Sequence, residues 1–379
     1  MRLFQNLNID FLSKRKLFYI LSLAIFVIGL INVVFRGLEF GIDFKGGSEV
    51  VLQFEKAIEI SDVRSNLTNI GLGDLEIKTF GDERGALIRT ELQEIPSELY
   101  PKVLNTIDKA IEGIYPSVPK KISEQTVNSI TYTFDNPDTA SVIADKLFLS
   151  GFQAGTVSEE VDNKDVIIRV GISDWIKENL KEKLKGNSFQ VLREDRVGPK
   201  VGAELKQNAL LAIFFSLVVI LIYLGFRFKF IFAFGAVAAL FHDVLITLGL
   251  YALLYDVIPG LNLEISLTIV AAFLTLIGYS INDTVIVFDR VRETLKLHKN
   301  GNIKDLINQS INRTMSRTIL TGGTTLLTVL VLMIFGGEVL RAFAFTLFFG
   351  IIIGTYSSIF VASAFVYDYA EKYKKKLEF

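Results

Sequence analysis

Asp283 lies inside the largely apolar stretch Ile265–Phe288, which is long enough to cross a bilayer, a span of about 20 residues. A carboxylate near the centre of such a helix costs roughly 2.5–3.5 kcal/mol on insertion scales. A chain that carries one there commonly uses it to relay protons or ions. Two further charged sites sit in similar stretches: His242-Asp243 within Phe230–Leu254, and Arg317 at the entry to Thr318–Phe335. Helical spacing puts Thr275, Tyr279, Asn282 and Asp283 on one face, and Arg317, Thr321, Thr324, Thr325 and Thr328 on another. Lipid cannot satisfy such groups, so the polar stripes are expected to face one another. Asp283 lies roughly 10 Å from the middle of its stretch at 1.5 Å per residue, on the side from which Arg317 enters. The two are therefore expected to meet. A carboxylate held between burial and a neighbouring cation can load and release protons. Asp243, beside His242, gives a second relay point. A static reading stands beside each of these: a fixed Asp283–Arg317 ion pair, a structural hydrogen bond from Asp243, a packed His242, and a threonine stripe that only joins helices.

Six spans must position these residues: Leu17–Phe35, Ala209–Phe226, Phe230–Leu254, Ile265–Phe288, Thr318–Phe335 and Ala342–Tyr367. Half of the 379 residues are hydrophobic, too many for a water-soluble protein of this size. A net charge of −1 argues against nucleic-acid binding. The absence of Cys and the presence of only two His argue against disulfides and zinc sites. No phosphate-binding loop is present, since Gly46-Gly47-Ser48 and Thr321-Gly322-Gly323-Thr324 lack its spacing and its lysine. Work by this chain is thus not driven by its own ATP hydrolysis, and no catalytic triad or acid pair marks an enzyme. Basic residues fix the orientation. They cluster at Lys14–Lys16, at Arg227 and Lys229, along 289–317 (including Lys299), and in the tail at Lys372 and Lys374–Lys376, whereas the opposite loops carry only Arg341. Residues 1–16, 227–229, 289–317 and 368–379 are then cytoplasmic, and 36–208 form an extracytoplasmic domain. Ile303, Leu306, Ile307, Ser310 and Ile311 make an apolar stripe, expected on a short amphipathic helix that lies on the membrane or docks on a partner. Gly350 and Gly354 form a small-xxx-small pair, a helix-packing signal.

The external domain alternates strand and helix patterns and looks duplicated. Phe54 falls on Phe134, Leu67 on Leu147, Gly71 on Gly151, Asp82 on Asp162, and Ile88-Arg89 on Ile168-Arg169, all in one register. Glu124-Gln125-Thr126-Val127 and Glu194-Asp195-Arg196-Val197 then close the two copies. Two ferredoxin-like βαββαβ units are expected, at about 36–127 and 128–200. Their sheet edges could take up an extended polypeptide by strand addition. The fold class is thus an α-helical polytopic membrane protein with six transmembrane helices, N-in and C-in, and an α+β external domain.

Several segments resemble one family. Asn8-Ile9-Asp10-Phe11-Leu12, Phe40-Gly41-Ile42-Asp43-Phe44-Lys45-Gly46-Gly47, Arg196–Gly202, Gly278–Arg292 and Ile307–Thr318 are similar, in order, to motifs of SecF-type members of the SecD/SecF protein-export family. The resemblance implies a location in the cytoplasmic (inner) membrane and a pairing with SecD, giving a twelve-span unit like the resistance-nodulation-division transporters. It implies attachment to the SecYEG channel and use of the proton motive force, with no bound cofactor, to draw unfolded exported polypeptides across after SecA has pushed them in. Sodium would suit a carboxylate equally well. The family's intramembrane acid falls on Asp283 and its arginine on Arg317; Asp243 is carried over with them, and Asn282, Tyr279, Thr321, Thr325 and His242 are supporting polar groups. The external domain is longer than the family's usual single unit, which leaves the role of Ser117–Gly186 open. A half-transporter for small molecules and a scaffold that only stabilises SecYEG are the rival readings.

Overall fold

The computed structural model describes residues 7–158, 162–184, 186–255, 257, 261–298 and 301–373. Lys299 and Lys374–Lys376, counted above among the orienting charges, lie outside them. The chain divides into two compact units, Met1–Phe44 with Glu204–Phe379, and Lys45–Ala203.

The first helix, α1 (Arg15–Arg36), ends at Gly37, whose φ of 80° stops the helix. A single turn, α2 (Ile42–Lys45), leads to Gly46-Gly47. Both glycines have positive φ, and a Cβ on Gly47 would lie 2.2 Å from the Thr90 carbonyl oxygen, so only glycine fits. The soluble unit then runs β1 (Gly47–Phe54), α3 (Ile60–Leu67), β2 (Glu76–Phe80), β3 (Asp82–Thr90), α4 (Tyr100–Ile114), β4 (Lys120–Gln125), β5 (Ser129–Phe134), α5 (Pro137–Leu149), β6 (Gln153–Thr156), β7 (Asp165–Arg169), α6 (Ile172–Lys183) and β8 (Phe189–Val197). Alternation along β1 sends Val50, Leu52 and Phe54 into one apolar core, which continues through Ile130, Tyr132 and Phe134 of β5 and Ile176 and Leu180 of α6.

The strands make two four-stranded sheets, β2-β3-β1-β8 and β4-β5-β7-β6. The closing strands are exchanged relative to the expected division at 127/128. β8 pairs antiparallel with β1, Gly47 opposite Val197 and Phe54 opposite Phe189. β4 pairs with β5 instead. Only Thr126–Asn128 separate β4 from β5, so closing that hairpin costs far less entropy than bringing β4 to β1. The preceding helices follow their strands. On α4, Asp108 accepts a hydrogen bond from Tyr132 of β5 at 3.3 Å and pairs with Lys120 of β4 at 3.0 Å. On α6, the Trp175 indole donates to the Ile70 carbonyl at 2.9 Å and Lys183 to that of Asn66 on α3. The segment α4–β7 is thus inserted between β3 and α6.

The other unit continues with α7 (Pro199–Arg227), α8 (Phe230–Leu254), α9 (Leu267–Leu297), α10 (Ile303–Phe335) and α11 (Gly337–Ser357), then a π-helical turn, Ser358–Ala362, and α12 (Ser363–Tyr373). Among the described residues, six helical segments are long and apolar enough to cross a membrane. The expected amphipathic helix between the fourth and fifth spans is not a separate element, because α9 and α10 run on as long helices. Its stripe is buried within the chain: Leu306 itself is buried, and Ile307 and Ile311 pack with Phe11, Leu12, Val291 and Tyr367. Gly350 and Gly354 hold α11 against α9, since a Cβ on them would lie 2.5 Å from Leu276 and 2.9 Å from Ser280 side-chain atoms. Asp43 caps α9, accepting from the Leu267 amide at 2.8 Å.

Candidate functional site

α8 is almost wholly apolar, so the pair His242-Asp243 must find partners on neighbouring helices. Asp243 is 1% exposed. One carboxylate oxygen accepts from Ser280 of α9 at 2.6 Å and from Ser357 of α11 at 2.8 Å. The other lies 3.0 Å from His242 Nδ1. The far ring nitrogen of His242 reaches Ser22 of α1 at 3.0 Å, and Ser22 in turn meets Tyr356 Oη at 2.7 Å. A buried polar network therefore ties four helices around Asp243, each member satisfied, as burial in low dielectric demands. The π-helical turn contributes here. The extra residue per turn lets Ser357 face Asp243 while the adjacent Ser358 meets Thr284 of α9 at 2.8 Å.

Asp283 is also buried, 2% exposed, but its surroundings differ. Its only hydrogen bond among the described residues comes from Thr355 of α11 at 3.3 Å. Otherwise it borders a narrow crevice with Val287, Ile311, Met315 and Thr318, too small for a water molecule. Thr318 Oγ1 is buried there without a hydrogen-bond partner.

The expected meeting of Asp283 with Arg317 is not an ion pair. Arg317 is exposed, lines an open polar cavity and makes no ion pair with Asp283 among the described residues. The reason lies in the face assignment. Asp283 belongs with Leu276, Ser280 and Val287 on the buried face of α9, whereas Thr275 and Asn282 are exposed on the other. Positions 282 and 283 lie a hundred degrees apart on the helix, so the stripe expected to hold both is split between its two faces. Tyr279 does reach across to α10, donating to Thr325 at 3.3 Å. Thr321 and Thr324 remain exposed. Ser22, Ser280, Ser357 and Thr355 were missed from sequence. Serine and threonine are common in membrane helices as packing residues, and only the spacing of Ser280 one turn before Asp283 and Thr284 signalled a buried polar face.

Six apolar helices holding buried carboxylates, joined to an α+β unit, define a polytopic membrane protein of the transport class. The chain belongs to the SecD/SecF family: residues 176–372 match the model of the protein export membrane protein SecD/SecF C-terminal region, and 32–58 that of the SecD/SecF GG motif. The protein translocase subunit SecF of Koribacter versatilis is 40% identical over 98% of this chain and 94% of its own length. That of Calditerrivibrio nitroreducens is 39% identical over 95% and 93%. Among solved structures, the translocon-associated membrane protein SecDF from Thermus thermophilus matches with a TM-score of 0.67 at 29% identity, over 97% of this chain and 39% of that one. The chain thus spans about two fifths of the SecDF structure.

Proposed function

We propose that this chain is an auxiliary subunit of the Sec protein translocase that, with a SecD partner, uses the proton motive force to promote polypeptide export. Near full-length similarity to SecF translocase subunits supports the subunit role. The partial coverage of the single-chain SecDF supports a partner that supplies the remainder. Within the membrane, Asp283 is the coupling group, Arg317 its gate and Asp243 a fixed structural centre that also offers a second relay point. One observation carries this division. Asp243 is anchored by three side chains, whereas Asp283 has one long bond from a neutral hydroxyl and no ion pair among the described residues. A carboxylate without a fixed counter-charge gains and loses a proton with little rearrangement of its neighbours. Arg317 faces the open cavity, where a change in its position alters the field at Asp283.

The protonation cycle shifts α9 against α11 and is passed to the external unit through the covalent continuity of α1 and α7. The external unit holds and releases the emerging polypeptide, with the free edges of the two sheets as the strand-addition sites. The basic residues of the 289–317 side support a cytoplasmic location for it. Export of a precursor into energised membrane vesicles tests the reading. Asp283→Asn is expected to abolish the stimulation by the proton gradient while the complex still assembles. Full stimulation in that variant would overturn it, and loss only with a sodium-collapsing ionophore would change the ion.

A further inference from the structure

α10 presents Gln309, Arg313 and Arg317 one turn apart, all exposed, from its first turns to the point where its apolar stretch begins. These three, with Arg290 of α9, line one open polar cavity of about 1610 Å³. Neither Arg313 nor Arg317 has a hydrogen bond or ion pair among the described residues, while Arg290 is paired with Glu293 at 2.6 Å. Two carboxylates share the cavity wall. Asp10 is already neutralised by Lys304 at 2.7 Å and accepts a hydrogen bond from the Asn308 amide at 2.7 Å, bonds that hold its carboxyl below the usual carboxylate range. Asp305 is eight residues from Arg313 on the same helix, about 12 Å at 1.5 Å per residue, too far to pair with it. The cavity is therefore net positive. The cavity wall ends at Leu320 and Thr321, and further along α10 the apolar side chains Leu327, Val331 and Ile334 are exposed.

We infer that this cavity binds the phosphodiester headgroup of an anionic phospholipid, held between Arg313 and Arg317, with an acyl chain along α10. The guanidinium fork suits phosphate oxygens, which accept two parallel N–H bonds. The position, where the basic end of a spanning helix meets its apolar stretch, is that of the lipid headgroups. The volume leaves room for a glycerol or a second phosphate beside the first. Gln309 adds a neutral donor at the outer end for headgroup hydroxyls. The inference does not depend on proton coupling, since it uses Arg317 only as a cation.

Native mass spectrometry of the purified full chain, titrated with phosphatidylglycerol or phosphatidylcholine of matched acyl chains, tests it. Phosphatidylglycerol is expected to be retained preferentially. Arg313→Gln should lower its apparent affinity about fivefold, the effect of one basic residue beside an anionic lipid, while Arg313→Lys keeps most of it. Lys296→Gln, an exposed cation outside the cavity, should leave the preference intact. Equal retention of the two lipids, or an unchanged preference in Arg313→Gln, would overturn the inference. So would displacement of the lipid by millimolar glycerol phosphate, which would make the ligand a soluble phosphate.

Discussion

Single residues in this membrane unit separate into those that are satisfied and those that are not. Asp243 receives hydroxyls from α9 and α11 and touches His242, so each donor it loses leaves a buried acceptor short. Removing one such partner costs about 1–3 kcal/mol. Ser280→Ala and Ser357→Ala are each expected to lower the thermal midpoint of the solubilised chain, and the double variant to lose less than the sum, because both serve one oxygen. Strict additivity would break the shared-acceptor geometry. Outside the membrane, Asp82 shows the same chemistry at a solvated turn. Bonds from the Arg84 side chain, then from Gln53 and the Arg84 amide, hold its carboxyl down at about 2. The folded value lies below the unfolded one, near 3.9. Its stabilisation is therefore present above about pH 4 and is lost as the pH falls through 2. Asp82→Asn should be slightly less stable than the parent at pH 7, and the gap should close near pH 2. Exposure keeps the effect small. Fluorescence of Trp175, the only tryptophan, follows it within the soluble unit.

Elements were legible where composition alone defines them. Six apolar runs in a chain give six helices, because no other structure satisfies the backbone in lipid. The internal similarity of the soluble unit falls on equivalent strand positions, since Ile88 lies opposite Val50 in one sheet and Ile168 opposite Ile130 in the other. Strand partnership was not legible, because periodicity records which face a residue shows and not which strand lies beside it. The tight β4–β5 connection was the overlooked signal. What fastens the exchanged strand is a ladder of charges across the sheet. Glu49 of β1 is 1% exposed, receives Arg89 of β3 at 2.9 Å and Arg193 of β8, and Arg89 continues to Glu76 of β2 at 3.2 Å. Arg89→Met strands a buried carboxylate and is expected to cost about 3–5 kcal/mol. Chemical denaturation followed at Trp175 should show that loss. A shift below 1 kcal/mol would mean that Arg193 alone compensates Glu49, and that the ladder is held from the β8 side.

Across the whole molecule, the exposed surface at membrane depth is of two kinds. On α1 and α7 it is apolar, with Leu23 61% and Phe215 56% exposed, and suits lipid. On α9 and along one flank of α10 it is polar, with Thr275 and Asn282 on one helix and Thr321, Thr324 and Thr328 on the next, while the other flank of α10 shows the apolar Leu320, Leu327 and Ile334. The threonines of α10 bond back to their own helix, at 3.0 Å for Thr324 and 3.1 Å for Thr328, but among the described residues no hydrogen bond satisfies the amide of Asn282. An unpaired amide in hydrocarbon costs several kcal/mol, so this face is one to be covered by other membrane-embedded protein rather than by lipid. The proposed SecD partner is the occupant that the length of SecDF supplies. The chain lacks cysteine, so single-cysteine variants report one position each. With a short crosslinker in native membranes, cysteine at Asn282 or Thr324 is expected to capture a SecD-like chain, and cysteine at Leu23 or Phe215 is not. Capture at all four positions alike would show that the polar stripe does not set the partner's place. Capture at none would leave Asn282 facing lipid, an outcome that the cost of burying its amide argues against.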